Sequence, residues 1–128
     1  MRKEEIVNEI RKRCKKVKFL PSIGWHFVYN ERHYICINGK DNGMIRFSVP
    51  HLIKADDYDV ELLSEAINDT NRGVKYVKVV KLNNGSISLN YDHKITTDET
   101  VDIIVPHIIN TLDFAATYLQ NKLNSSEN

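Results

Sequence analysis

Cysteine is scarce in this sequence, and what little there is excludes a disulfide scaffold. Cys14 and Cys36 are the only two, far apart and set in segments that read as packed surfaces. A pair of that kind points to reduced thiols in a cytoplasm rather than to a stapled secreted domain. Long apolar runs are missing as well. No stretch approaches the roughly 18 consecutive apolar residues of a membrane span, and the charged N-terminus has no apolar signal core. Glycine is sparse too: Gly24, Gly39, Gly43, Gly73 and Gly85 form no phosphate cradle. Gly39-Lys40 resembles the end of a P-loop only superficially, since Tyr34 stands at the first glycine position and Asp41 where Ser or Thr is needed. No serine occupies a strand-turn-helix nucleophile elbow.

Charge of one sign is also lacking, because the chain of 128 residues carries a net +1. The distribution is uneven, however. Residues 1–18 hold eight Lys or Arg against Glu4, Glu5 and Glu9, a local +5 that leaves −4 for the remainder. A solvated helix face and an anionic partner are the two readings of that segment.

What is present suffices for one core. With 41% hydrophobic and 27% charged residues, the composition is that of an ordinary folded domain. A chain of this length buries roughly two-thirds of its unfolded surface. A single domain is expected over residues 1–123, with a frayed polar tail at 124–128.

Hydrophobic periodicity supplies the elements. Ile6, Ile10 and Cys14 recur every four residues, which predicts a first helix from about Lys3 to Lys16. Leu20-Pro21-Ser22-Ile23-Gly24 breaks that pattern. Three strands follow, Trp25 to Tyr29, His33 to Ile37 and Met44 to Val49, with Pro50 as the stop. The loop between the last two carries two Asn-Gly pairs within residues 38–43. A second helix is expected from about Tyr58 to Arg72, capped by Asp56 or Asp57 and ended by Gly73. A hairpin comes next, Lys75 to Leu82 and Ser86 to Tyr91. Thr96 and Glu99 form a capping-box pattern for the last helix, in which Pro106 predicts a kink or two abutting helices. Helix, three-stranded meander, helix, hairpin, helix is an α+β domain with helices packed on a twisted antiparallel sheet.

Register in the hairpin has two solutions. A two-residue turn at Asn84-Gly85 pairs Val80 with Leu89 and turns Lys78 into the core. A three-residue turn with Gly85 left-handed pairs Val79 with Leu89 and Val77 with Tyr91, and sends Lys78 outward. The second is preferred, because an unpaired buried lysine is costly. It leaves Tyr76, Val80 and Leu82 as an apolar outer strip, the candidate protein-interaction residues.

Catalytic and metal constellations are not completed by the residues available. Asp57, Asp59 and Glu61 open like a calcium loop, but Leu62 and Asn68 occupy the positions that need Gly and Glu. Among His26, His33, Cys36 and His93, the spacing of His33 and Cys36 on one strand points them to opposite faces. Cys36 has no helix N-terminus or basic neighbour to activate its thiol. No cofactor and no metal are expected.

The order of elements and one junction carry a family resemblance. The segment Ala66-Ile67-Asn68-Asp69-Thr70-Asn71-Arg72-Gly73-Val74-Lys75-Tyr76-Val77-Lys78-Val79 ends a helix with asparagines three apart and enters a strand with an aromatic shortly before a lysine. Asn84-Gly85, Ile87, Leu89, Tyr91 and Asp92 continue as glycine turn, alternating strand and polar turn. This resembles the type III secretion chaperone-like fold, and in particular the bacterial YbjN-like proteins that share it. The topology matches over about residues 1–123, and the motif over 66–95. The resemblance implies a non-enzymatic, often dimeric module that binds polypeptides; the YbjN-like proteins are described as sensory-transduction regulators. It transfers Asn68 and Asn71, for which side-chain bonds to the local backbone are expected. The function expected is therefore a chaperone-like or regulatory interaction module that binds a protein partner or itself. The alternative is a nucleic-acid-binding regulator that uses the basic first helix. The scatter of cations around that helix and the acidic remainder weaken it.

Overall fold

A computed structural model describes residues 3–38, 43–96 and 98–126. The elements run α1 (Lys3–Arg13), β1 (Lys15–Leu20), β2 (Gly24–Tyr29), β3 (Arg32–Asn38) and β4 (Met44–Lys54). A single 3-10 turn (Ala55–Asp57) leads to α2 (Val60–Gly73), then β5 (Val77–Lys81), β6 (Ser86–Lys94) and α3 (Val101–Ser126). The six strands form one antiparallel sheet in the order β1-β2-β3-β4-β6-β5.

The α+β class is as the sequence indicates, but the sheet has a strand more than expected. The first helix stops at Arg13 rather than Lys16, and Lys15–Leu20 forms the edge strand β1. A bulge with Lys16 in the left-handed region (φ 53°) shifts the register there and disrupts the alternation by which a strand is recognised. Pro50 does not end β4 either. It lies where the pairing with β6 shifts between Val49 and Ile53, beside His51 at φ 51°, and a bulge is where a strand tolerates proline.

Turn chemistry explains the hairpins. Asn30 and Glu31 both have positive φ, as a two-residue turn between β2 and β3 requires. The β5–β6 loop takes the three-residue form: Gly85 is left-handed (φ 86°), Val79 pairs with Leu89, and Val77 pairs with Tyr91. Gly24 is demanded by proximity, since a Cβ there would lie 2.1 Å from the Cys36 carbonyl oxygen. The Asn-Gly loop between β3 and β4 lies outside the described residues over 39–42.

Several helix ends differ from expectation. Asp59, not Asp56 or Asp57, caps α2 by accepting from the Leu62 N–H at 3.2 Å. Gly73 is the last residue of α2; a Cβ there would lie 3.2 Å from the Tyr118 hydroxyl oxygen of α3, and the left-handed residue is Tyr76 (φ 68°). Glu99 accepts from the Thr96 N–H at 3.2 Å, half of a capping box, yet α3 begins only at Val101. Pro106 sits inside one continuous helix, not between two. That helix runs on to Ser126, into the segment expected to fray, and residues 127–128 lie outside the described ones.

All three helices pack on one side of the sheet. Ile6 and Ile10 of α1, Leu63 and Ala66 of α2, and the Ile108, Ile109, Leu112, Leu119 and Leu123 stripe of α3 join Phe27, Tyr34, Phe47, Ile87 and Leu89 in one core. Asp113 of α3 pins the sheet from above, accepting from Arg32 at 2.5 Å and from the Tyr34 hydroxyl at 3.2 Å.

Candidate protein-interaction face

Alternation in the strands creates two unlike surfaces. Residues paired across the sheet share a face, so Phe27, Tyr34, Cys36, Phe47, Tyr91 and Val77 all point to the helices. The opposite parity carries Val28, Ile35, Ile37 and Val80, all half-buried and none of them part of the core cluster. Among the described residues no helix covers this second face. Ser48 and Ser88 lie deep in its middle, opposite Ile35 and Val80, and Ser88 accepts from the His51 N–H at 3.0 Å. Met44, Ile37 and the Arg46–Asp92 pair border a depression of about 300 Å³.

The rim of this face is cationic. Lys15 and Lys18 stand on β1, Arg46 and Lys54 on β4, Lys94 on β6 and Lys78 on β5, each exposed and each paired with an open-face residue. Asp92 is the one acid on the open side of these strands, and Arg46 occupies both its oxygens at 2.6 and 2.9 Å. Those hydrogen bonds hold the Asp92 carboxyl below its ordinary range. None of the lysines in this set forms a direct ion pair among the described residues, though the Lys78 charge is close enough to Asp92 to help lower its pKa.

Two imidazoles meet near the β1 side. His26 Nε2 and His33 Nδ1 are 2.9 Å apart with the rings stacked, so one nitrogen donates and the other accepts. Burial lowers the His26 pKa, and the neighbouring His33 and Lys18 charges lower it further.

Both sheet edges are blunted. β1 offers three lysines and a bulge, and on β5 the Asn71 side chain accepts the Val79 N–H at 2.9 Å. Asn71 thus makes the local backbone bond expected of it. Strand addition is disfavoured at either edge, which leaves the faces.

Of the three candidate interaction residues, Val80 and Leu82 lie on the open side, with Val80 opposite Ser88 and Leu82 36% exposed. Tyr76 must be corrected. Its left-handed backbone breaks the alternation, and its ring, 73% exposed, lies against Tyr91 of the helix-covered face. The larger aliphatic group of Val28, Ile35 and Ile37 escaped the sequence reading. Its signal was the unbroken apolar run Tyr34-Ile35-Cys36-Ile37, which implies that both faces of β3 exclude water.

The remaining candidates disperse. Cys36 faces the core, away from His33, and His93 bonds Glu99 at 2.8 Å on the helix side. No group of three or more metal-ligating side chains occurs among the described residues. Burial pushes the Cys14 thiol up to about 11 and Cys36 to about 12, so neither is a nucleophile at neutral pH. The basic N-terminal segment divides: Arg11 stacks over Trp25 at 5.3 Å, while Lys12 and Arg13 hold the buried Glu9 at 3.1 and 3.2 Å. A second exposed cluster, Phe19 against Trp25 with Ile23 beyond, marks the outer end of β1 on the helix side.

No protein-family model matches this chain, and no curated protein matches it. Its fold is shared with the crystal structure of an uncharacterized protein from Methanothermobacter thermautotrophicus. That structure aligns over 97% of both chains with a TM-score of 0.63 at 13% identity, a likeness of fold alone. No helix among the described residues is long and apolar enough to cross a membrane.

Proposed function

We propose that this protein is a non-enzymatic interaction module that binds a polypeptide on the open face of its sheet. The observation that carries this reading is the set Val28, Ile35, Ile37 and Val80, aliphatic side chains outside the core and without a helix above them. An apolar sheet surface in water marks an interaction site. The resemblance to chaperone-like and YbjN-like proteins supports the same role, as do two thiols that burial keeps unreactive. Two free thiols, one buried and one half-buried, also fit action in the cytoplasm.

Nucleic-acid binding through α1 has less support, because Glu9 neutralises two of its cations and Trp25 engages a third. Selection from a displayed library of random peptides on the immobilised protein tests the proposal, with counter-selection on Ile35→Asp. Peptides that bind the wild type and lose the variant are expected. A library that yields no Ile35-dependent binder refutes the reading.

A further inference from the structure

We infer that the open face takes an acidic polypeptide segment bearing aliphatic residues. This rests on the docking reading above and names the chemistry of the partner. The aliphatic group occupies β2 and β3, with Lys15 and Lys18 on one flank and Arg46, Lys94 and Lys78 on the other. From β1 to β4 is three strand spacings, about 14 Å, enough for one helix of about 10–12 Å diameter or an extended segment between the cationic rows. The lysines form no direct ion pair among the described residues, and the face's own acid, Asp92, is bonded by Arg46 and is the one carboxylate whose pKa the Lys78 charge helps to lower. A ligand with carboxylates beside its aliphatic anchors satisfies both features; a purely apolar ligand would leave the lysine rim unused.

Two other occupants fit less well. A second copy docked through the same face would set one cationic rim against another with a single, already paired acid on each side, which is unfavourable for a two-fold interface. A nucleic acid would find phosphate-binding charge but little to stack on. The open-face strand positions hold no Phe, Tyr or Trp, and the two imidazoles are already stacked on each other. Five of the six cations are lysines, which lack the bidentate fork by which arginine grips phosphate.

The test uses the full chain and a displayed library of random peptides of roughly 12 residues, a length that spans a sheet face when extended. The peptides enriched in an Ile35-dependent way should be rich in Asp and Glu and contain Leu, Ile or Val. A selected peptide should lose about tenfold in affinity between about 50 and about 300 mM NaCl, as exposed charge pairs are screened. It should lose a similar factor on Lys18→Glu/Lys94→Glu, which leaves every aliphatic in place and so remains informative even if Ile35→Asp misfolds. Enrichment of neutral or basic peptides would overturn the acidic assignment while leaving the docking face standing. Absence of any enrichment overturns both. Mixed-sequence single-stranded DNA that binds more tightly than the peptides, and is lost in the same double variant, would replace the acidic segment by a nucleic acid. Sedimentation that shows a wild-type dimer dissolved by the double variant or Ile35→Asp would replace it by a second copy.

Discussion

Across β3 and β4 the helix-covered face presents Tyr34, Cys36, Phe47 and Val49, all buried, whereas the open face presents Ile35, Ile37, Arg46 and Ser48 from the positions between them. On the covered side large rings interlock: Phe27 stacks on Tyr34 at 5.3 Å and meets Phe47 edge-on at 6.2 Å. On the open side the aliphatics are separated by small serines and ringed by lysines. The first arrangement is what close packing requires. The second has contact area but no helix over it among the described residues, and that contrast is the basis for assigning stability to one face and binding to the other.

The largest effect that could break this division is in the core. Phe47→Ala should cost about 3–5 kcal/mol in urea denaturation, since its ring is fully buried among others. Ile35→Ala, one strand away on the open side, should cost about 1 kcal/mol because part of its surface already faces water and no helix packs on it. Equal losses would mean that the open face is ordinary core. The ion pairs give a second contrast. Asp113→Ala should cost about 2–3 kcal/mol, as it takes the acceptor from the Tyr34 hydroxyl and leaves Arg32 only neutral partners such as Thr117 and Gln120 beneath α3. Asp92→Ala removes a bidentate but solvent-exposed pair and should cost no more than about 1 kcal/mol. Parity between those two variants would remove the distinction between a structural and a surface carboxylate.

The legibility of this molecule from sequence follows the same divide. The β5–β6 register could be read because one alternative buried Lys78, a penalty large enough to choose between solutions. Covered positions such as Phe27, Phe47 and Leu89 stood out by strict alternation. β1 was illegible because Lys16 sits in a bulge and because Val17 also continues the periodicity of α1. The full continuation of β4 was hidden by a local rule, proline as a stop, that the bulge at Pro50 overrides. The open face was glimpsed at Val80 and Leu82 but misjudged at Tyr76, whose left-handed backbone no propensity signals for a tyrosine.

Val80→Glu sharpens the comparison at smaller scale. Val80 lies opposite Ser88 with solvent beside it, so a longer polar chain can bend outward. A stability change within about 1 kcal/mol is expected, together with weaker capture of Ile35-dependent peptides. A variant that melts far below the wild type would show the strip to be core.

The smallest effect is a pH dependence, and it too separates the faces. His26 on the open side has its pKa lowered below the ordinary 6.5 by burial first, then by the His33 and Lys18 charges. The unfolded chain therefore binds a proton at His26 before the folded chain does. Stability on this account is complete above the unfolded value, declines as pH falls below 6.5, and is fully lost below the folded value. On the covered side Glu99 has its carboxyl held below the ordinary 4.5, by the His93 hydrogen bond foremost, and it stays charged over the histidine range. Thermal melts at about pH 7.5 and 5.5, either side of the ordinary histidine value, should show a smaller acid loss in His26→Gln than in the wild type. His33→Gln should recover less than His26→Gln, because burial, the larger cause, remains when the second imidazole is gone. If His26→Gln keeps the full wild-type acid loss, the titrating group lies elsewhere, and the burial of His26 has no part in the pH response of the fold.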